Sequence, residues 1–298
     1  MNISALLGYI NNLVAQGGPE PSEFFELLAV FDELQSRKDE ASKLVRACIE
    51  QSDGSFNSVQ TMQGHVCLQP YGYHGDFHII DRIYTNDVAL NPSLARWDEF
   101  FHWGTAAVAV RNRKTFFITH CLPRLLSQQN TVRMLNVGSG PCRDVAELLS
   151  HSEHLNVQIE CLDSDERAFA YARNVVGLVD PRVQFVHKNA LRHGGHARYD
   201  IIWSAGLFDY LHDALFVTLA RRLSRLLCTG GELIIGNFSQ ANTQAGYMAF
   251  GGWDLNHRSA DHLMGLAAKA GFDLNSVNVL QEPSGVNFFI QIRPKIAS

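Results

Sequence analysis

The sequence predicts an α/β protein with a mostly parallel seven-stranded sheet that ends in an antiparallel hairpin, preceded by a mainly helical region. From residue 130 onward, apolar segments of strand length alternate with amphipathic segments of helix length, a pattern typical of a sheet covered by helices. The last two strand segments are separated only by residues 283–286, so we expect them to pair as a hairpin. Before residue 55, apolar residues recur at helical spacing instead.

The element boundaries follow from these periodicities. Strands are expected at 132–138, 157–163, 183–189, 199–205, 231–238, about 276–282 and 287–293. Helices are expected at about 142–151, 165–176, 212–228 and 259–270, after three N-terminal helices that end before Asp53 and Gly54. We therefore predict two domains: a helical substrate or lid domain over 1–125 and a cofactor-binding sheet domain over 126–298.

The composition excludes several classes of protein. Apolar residues make up 46% of the 298 residues and the net charge is −5, with no Lys/Arg cluster, which argues against a nucleic-acid partner. No apolar run approaches the ~20 residues that span a bilayer. The six cysteines show no C-x-x-C spacing and the N-terminus lacks signal-peptide features, so we expect a cytoplasmic protein with reduced thiols. The expected partner is a small molecule, and a homodimer formed through the N-terminal helices is left open.

A glycine-rich turn follows the first predicted strand and suggests a cofactor site. Gly138 and Gly140 allow the backbone to approach a ligand, and a helix predicted to start at Pro141 would point its first N–H groups at polar ligand atoms. Arg143 stands where a dinucleotide-binding turn has its third glycine, which disfavours a pyrophosphate. Asp163, at the end of the next strand, has the spacing of a ribose-binding acid. Two interpretations remain: a ribose-bearing cofactor without pyrophosphate, or a plain α/β turn.

Other polar segments are candidates for an acceptor site. YGYHGDFH at 71–78 is rich in glycine, aromatic and polar residues, which suits a lid or pocket wall but also a structured linker. Arg111 and Arg113 are two residues apart, so on a helix only one of them would face a given pocket. His193 and His196 lie in a Gly-rich loop with no nearby acid or thiol, so we expect no metal site.

Four motifs in order resemble the class I S-adenosylmethionine-dependent methyltransferases. LNVGSGP at 135–141 resembles their first motif, Asp163 the ribose-binding acid, residues 189–190 the adenine contact, and LLCTGGELII at 226–235 the turn into the fifth strand. The commonest first motif has a glycine where this chain has Cys142. The resemblance implies a Rossmann-like fold, with S-adenosylmethionine as cofactor and S-adenosylhomocysteine as product. The expected cofactor-binding residues are Gly138, Ser139, Gly140, Pro141, Asp163, Ser164, Asn189, Ala190, Ser204, Gly206 and Leu207.

A narrower resemblance extends over most of the chain. The segments at 71–77, 83–84, 110–113, 206–211, 253–258 and 282–287 are similar to bacterial methyltransferases of 3-hydroxypalmitic acid methyl ester synthesis. That family's implied activity is carboxyl O-methylation of a 3-hydroxy fatty acid, which gives a diffusible cell–cell signal.

The acceptor determines what the site residues must do. A carboxylate is already ionised near neutral pH and needs no base, only cations or donors that orient it. An amine or hydroxyl would need a base such as His74, Asp76, His102 or Asp209, although Asp76 could instead cap the following helix. The residues predicted to act on the acceptor are Tyr73, His74, Asp76, Arg113, Asp209, Tyr247 and Arg258.

The residues are compatible with three functions. The first is carboxyl methylation of a 3-hydroxy fatty acid, and the second is N- or O-methylation of a small polar metabolite. The third is a non-catalytic S-adenosylmethionine sensor, which the presence of Gly138, Gly140 and Asp163 disfavours. Arg143 and the terminal hairpin disfavour a dehydrogenase.

Overall fold

The structure is a computed structural model that describes residues 2–294, except for the side chains of residues 38–40 and 43–44. Its contacts form two compact units, one of Met1–Val110 with Asn242–Asp254 and the other of Arg111–Ala241 with Leu255–Ser298. We call them the helical unit and the sheet unit. The first segment of the helical unit ends at Val110, before the predicted domain boundary after residue 125. The assignment of two domains stays a prediction.

Helices occupy the first part of the described chain, and the first strand begins at Val132. Within residues 2–294, the α helices are α1 (Ile3–Ala15), α2 (Phe24–Ser36), α3 (Lys38–Gln51), α4 (Met62–Leu68), α5 (Phe77–Thr85), α6 (Pro92–Trp103), α7 (Thr105–Ser127), α8 (Arg143–Ser150), α9 (Glu166–Asn174), α10 (Asp213–Ser224), α11 (Ala245–Phe250) and α12 (Ala260–Lys269). The strands are β1 (Val132–Val137), β2 (Val157–Asp163), β3 (Val183–His187), β4 (Tyr199–Ser204), β5 (Leu227–Phe238), β6 (Val277–Gln281) and β7 (Asn287–Ile292). Short 3-10 turns lie at Pro21–Glu23, Ala190–Arg192, Leu207–Tyr210 and Leu274–Ser276.

The helical unit packs around a cluster of aromatic rings. Tyr247 of α11 lies 4.8 Å from the ring of Phe31 on α2 and 4.9 Å from that of Phe100 on α6, measured between ring centroids. Helix α11 comes close to α2 because Gly246 has no side chain: a Cβ there would lie 2.8 Å from the Phe31 backbone carbon. The segment 242–254 therefore completes the core of the helical unit, although it follows β5 in the sequence.

The predicted sheet is confirmed. Its seven strands have the order β3-β2-β1-β4-β5-β7-β6, and β7 is antiparallel to both β5 and β6. Buried apolar side chains cover both faces, for example Met134 and Ile159 on one and Leu135 and Phe216 on the other. The strand order reverses between β1 and β4, and open α/β sheets bind their ligands at the carboxyl ends of strands beside such a switch point.

Strand β5 begins earlier than predicted. It starts at Leu227 instead of residue 231, and α10 ends at Ser224 instead of residue 228. Leu227 pairs with Tyr199 of β4, and the register then shifts at a bulge. Gly230 adopts φ +75° within this strand, a conformation that glycine accepts without steric cost. The residues at 227–228 therefore extend the strand, where the sequence pattern placed the end of a helix.

Glu232 is a buried acid that connects β5 with α7 and β7. Its carboxylate accepts hydrogen bonds from Gln291 at 2.7 Å and from Arg293 at 3.0 Å, and it lies 3.2 Å from the His120 ring and 3.4 Å from Arg124. Burial alone would raise the pKa of Glu232, but His120 and Arg293 lower it to about 2.

We expect Glu232→Gln to destabilise the sheet unit. Hydrogen bonds to charged groups contribute about 1.5–3 kcal/mol, so a loss of that size is expected at pH 7. Because the pKa of Glu232 in the folded protein is about 2, below its unfolded value, the stabilisation is complete above about pH 4.5 and is lost as the pH falls toward 2. Thermal unfolding at pH 7 and pH 3 measures this; an equal difference between the two proteins at both pH values would contradict it.

Candidate active site

The glycine-rich turn has three residues in the left-handed region. Gly138, Gly140 and Cys142 have φ values of +66°, +52° and +55°. The N–H groups of Gly138 and Ser139 both donate to the Leu162 carbonyl oxygen, at 2.8 and 3.2 Å, which joins the end of β1 to the end of β2. The prediction that the helix starts at Pro141 is wrong, because α8 begins at Arg143 after the turn has continued through Cys142.

Cys142 explains how the turn forms without its usual third glycine. It adopts the left-handed conformation that glycine takes readily, and its side chain is fully buried in the core of the sheet unit. Burial of this side chain offsets part of the backbone strain of a non-glycine residue at positive φ. The glycine-like geometry is therefore retained at this position with a different residue.

Asp163 connects the turn to the end of β2. Its Oδ2 accepts a hydrogen bond from the Gly140 N–H at 2.9 Å, and its Oδ1 accepts one from the Asp165 N–H at 3.0 Å. Burial raises the pKa of Asp163 above its ordinary value, opposed by these N–H donors. The Ser164 N–H also donates to this carboxylate. A carboxylate has about four lone-pair sites, so three N–H bonds leave capacity for a ligand hydroxyl group.

Ser139 carries a polar atom whose partner is missing from the protein. Its hydroxyl is buried and has no hydrogen-bond partner among residues 2–294. Beside it, a Cβ on Gly140 would meet no atom within 4 Å, so the turn faces open space. Buried polar groups in proteins are almost always paired, so an unpaired donor beside an open space fits a ligand with polar atoms.

The segment at and after the end of β4 lies against the glycine-rich turn. A Cβ on Gly138 would lie 3.1 Å from Leu207 Cβ, so Leu207 covers the turn closely. Ser204 is buried and its Oγ donates to the Val137 carbonyl oxygen at 3.0 Å, which fixes β4 to β1. Ser204 thus has a structural bond in this structure, whereas Leu207 contributes to the surface around the turn.

The remaining predicted cofactor residues lie near the ends of β1, β2 and β3. Asn189 Oδ1 accepts from the Leu191 N–H at 2.8 Å and begins the 3-10 turn that contains Ala190. The Ser164 carbonyl oxygen lies 3.0 Å from the His187 ring nitrogen, and Pro141 is buried in the turn. The role of each in binding stays a prediction.

Arg113 lies in a buried network that the sequence did not reveal. It is 6% exposed, and a Cβ on Gly206 would lie 2.8 Å from its Nη1, so the guanidinium lies against the backbone that follows β4. Burial raises the pKa of Asp144 to about 6 and that of Asp209 to about 7, and the Arg113 charge opposes both shifts. Asn136 Nδ2 also donates to Asp144 Oδ2 at 3.3 Å. Arg113 is thus a buried counter-ion beside two carboxyl groups.

Arg258 is committed to protein groups in the same unit. Its Nε and one Nη donate to Asp213 Oδ1, both at 3.1 Å. The other N–H groups donate to the carbonyl oxygens of Phe208 and Leu211 and to Asn237 Oδ1. These contacts account for the five N–H groups of a guanidinium. The geometry therefore favours a structural role for Arg258 over the predicted contact with an acceptor.

Asp209 also holds backbone in place. Its Oδ1 accepts from the Phe238 N–H at 2.7 Å, and its carbonyl oxygen accepts from both the N–H and the side-chain amide of Asn256. A carboxylate with this role fixes the loop after β5, so the geometry favours a structural role for Asp209 as well.

In the helical unit, Asp76 caps a helix. Its Oδ1 accepts from the N–H groups of His78 and Ile79, at 2.9 and 3.0 Å, which confirms its alternative role at the start of α5. Its Oδ2 lies 2.9 Å from His65 Nε2, and both side chains are almost fully buried. This pair orients the segment 71–78.

His74 lies beside the segment that follows β5. Its Nε2 is 3.0 Å from Gln69 Nε2 and 3.4 Å from the Gly251 carbonyl oxygen, and its ring is 6.3 Å from that of Trp253. Burial lowers the pKa of His74, which favours a neutral ring at pH 7. The structure thus brings together two segments that the sequence assigned separately to the acceptor.

The two predicted tyrosines differ in exposure. Tyr73 is 38% exposed. Tyr247 is buried, its hydroxyl has no partner among the described residues, and burial raises its pKa well above the ordinary value. A contact between either residue and an acceptor stays a prediction.

A family model described as a methyltransferase domain matches residues 134–231. The chain carries a class I S-adenosylmethionine-dependent methyltransferase domain. The matched residues include the turn, Asp163 and the end of β4, so the predicted enzyme class and cofactor are confirmed. No curated protein matches the chain.

Solved structures agree with this methyltransferase fold. A possible exported protein from Bordetella parapertussis is 18% identical with a TM-score of 0.65, over 99% of this chain and 98% of that one. Magnesium protoporphyrin IX methyltransferase from Synechocystis PCC 6803 with bound S-adenosylhomocysteine is 10% identical with a TM-score of 0.53, over 78% of this chain and 97% of that one. At these identities the likeness establishes the fold alone.

The residues in and beside the glycine-rich turn fit S-adenosylmethionine as a ligand. Ser139 supplies an unpaired buried hydroxyl, Gly140 an open backbone, and Asp163 a carboxylate with remaining lone pairs. Among the side chains that the structure describes, no three His, Cys, Asp or Glu residues group closely enough to hold a metal ion. No helix in the described part of the chain has the length and apolar character needed to cross a bilayer.

We expect Ser139→Ala to weaken cofactor binding without destabilising the free protein. The substitution removes a buried hydroxyl that lacks a partner, so stability should stay constant or rise, while S-adenosylhomocysteine affinity should fall by about 1 kcal/mol. Ser204→Ala is the matched control: its hydroxyl is already bonded, so stability should fall by a similar amount. Calorimetric titration and thermal unfolding measure both. Unchanged affinity in Ser139→Ala would remove this hydroxyl from the binding site.

Proposed function

We propose that the chain transfers a methyl group to the carboxylate of a 3-hydroxy fatty acid and releases a methyl ester that acts as a diffusible signal. S-adenosylmethionine supplies the methyl group as an activated sulfonium. The segments at 71–77, 206–211 and 253–258, similar to the methyl ester synthesis family, support this choice.

The observation that carries the proposal is that three of the four predicted bases already make hydrogen bonds within the fold. Asp76 caps α5, Asp209 accepts from the Phe238 N–H, and the His102 ring nitrogen lies 2.7 Å from the Asp87 carbonyl oxygen. These three groups are engaged in the fold, where proton abstraction would disturb the bonds they make. A carboxylate acceptor is compatible with this arrangement because it is ionised without a base.

Orientation is then the main task of the acceptor residues. Correct alignment of two reacting groups can supply several kcal/mol of a barrier without any proton transfer. His74 and Tyr73 are the proposed donors to the carboxylate. Trp253, packed beside His74, is part of the apolar wall that excludes water.

A second candidate is N- or O-methylation of a small polar metabolite, and one observation favours it. Because burial lowers the pKa of His74, its ring is neutral at pH 7 and able to accept a proton from an amine or hydroxyl acceptor.

The test uses S-adenosylmethionine with a deuterated methyl group and a panel of 3-hydroxy fatty acids, amines and polar metabolites, with products identified by mass. We expect a labelled methyl ester, with kcat constant from pH 6 to pH 8 because the acceptor is ionised throughout. A label on nitrogen or on a polar hydroxyl, with a rate that rises through the His74 pKa and is lost in His74→Phe, would contradict the proposal and support the second candidate.

A further inference from the structure

The helical unit contains a cavity of about 390 Å³ between α2, α3 and α11. Its walls include Phe31 and Leu34 from α2, Val45 and Ile49 from α3, and Phe250 from α11. Such a volume lies within the range of ligand pockets, and an apolar cavity of about 150 Å³ is already large enough to hold benzene.

The polar side chains that line the cavity lie at its opening. Gln35, Ser42, Arg46 and Glu50 are all exposed, whereas the apolar lining residues are buried or half-buried. Arg46 and Glu50 are four residues apart, so they share one face of α3 and their charges offset each other. The opening is therefore polar without a strong charge of either sign.

The interior is unsuited to polar groups. Cys67 is a half-buried residue of the lining, and burial raises the pKa of its thiol to about 12, so it stays neutral. A ligand hydroxyl or amide placed against this apolar lining would lose its hydrogen bonds to water without gaining new ones. The lining thus selects hydrocarbon and disfavours sugars, nucleosides and free amino acids.

The cavity also borders the residues assigned to the acceptor. Gly251 and Gly252 line it, the Gly251 carbonyl oxygen lies 3.4 Å from His74 Nε2, and a Cβ on Gly252 would lie 3.4 Å from the same atom. One short turn after α11 therefore contacts both His74 and the interior of the cavity.

We infer that this cavity binds the hydrocarbon chain of an amphipathic molecule, with its polar end outside the apolar lining. The inference rests on the proposed function in one respect: the chain is that of the methyl acceptor, so the cavity determines which acceptor chain lengths bind.

The test is calorimetric titration of the full chain with straight-chain 3-hydroxy acids of increasing length, without cofactor. We expect affinity to rise by about fourfold for each methylene that enters the cavity and then to become constant when the cavity is full. Ala249→Phe on α11 and Val45→Trp on α3 should each lower the affinity for the longest acid at least tenfold. Leu90→Phe, at a fully exposed position, is the matched control and should bind as wild type does.

Thermal unfolding of each variant shows whether it is folded. Because the two variants are on different helices, one of them still tests the inference if the other does not fold. Affinity that does not depend on chain length, or wild-type binding by both folded cavity variants, would overturn the inference. Failure of the proposed function gives a different result: length-dependent binding without methyl transfer. Methyl transfer without length-dependent binding would retain the proposed function and reject the cavity.

Discussion

Asp163→Ala is expected to lower the affinity for S-adenosylhomocysteine by about 1–3 kcal/mol, or roughly 5- to 150-fold. Two effects contribute. The ligand loses a carboxylate that would accept its hydroxyl groups, and the Gly140 N–H loses the Asp163 oxygen that holds it at 2.9 Å. The turn that presents Ser139 is then less well ordered.

Calorimetric titration measures the affinity, and Asp165→Ala is the matched control. Asp165 is two residues away and caps α9 by accepting from the Arg167 N–H, so its loss should cost about 1 kcal/mol of helix stability and leave cofactor affinity unchanged. An Asp163→Ala protein that is folded and binds as tightly as wild type would contradict the assignment of this carboxylate to the cofactor.

Arg113→Met is expected to destabilise the sheet unit by about 3–5 kcal/mol at pH 8, because it leaves buried carboxylates without their cation. The loss should be smaller at pH 5. Burial raises the pKa of Asp144 to about 6 and that of Asp209 to about 7, so both are mostly protonated and neutral at pH 5. Native-state stability should accordingly fall as the pH rises from about 4 to 7, and more steeply in the variant.

Urea denaturation at pH 5 and pH 8 measures the effect, with Arg111→Met as the control. Arg111 is on the same helix but two positions earlier, so it faces elsewhere, and its loss should matter less at both pH values. A folded Arg113→Met protein with wild-type stability and a raised acceptor KM would contradict the structural role and support the predicted clamp on an acceptor carboxylate.

Much of the sheet unit could be predicted because its signals are local. Apolar runs of strand length gave the seven strands, and the short connection at 283–286 gave the hairpin of β6 and β7. The start of α8 could not be predicted, because nothing in the pattern shows that Cys142 adopts a left-handed conformation. The early start of β5 depends on a bulge against Tyr199, a pairing between distant parts of the chain.

The roles of individual charged residues were harder to predict because they depend on contacts between distant segments of the chain. The sequence predicted Arg113 and Arg258 as residues that act on the acceptor, with Arg111 as the alternative to Arg113 on the same helix. The structure gives Arg258 five hydrogen bonds to protein oxygens and places Arg113 beside Asp144, and both arrangements depend on contacts between distant segments. That residues 242–254 join the helical unit was equally invisible, because their local pattern says only that a short helix follows β5.

The central claim is that S-adenosylmethionine binds at the carboxyl ends of β1 and β2, and amide hydrogen exchange tests it most directly. S-adenosylhomocysteine should slow exchange at residues 137–143 and 163–165, where Gly138, Ser139, Gly140 and Asp163 lie. Exchange that slows only in residues 2–110, or that does not change at saturating ligand, would contradict the account.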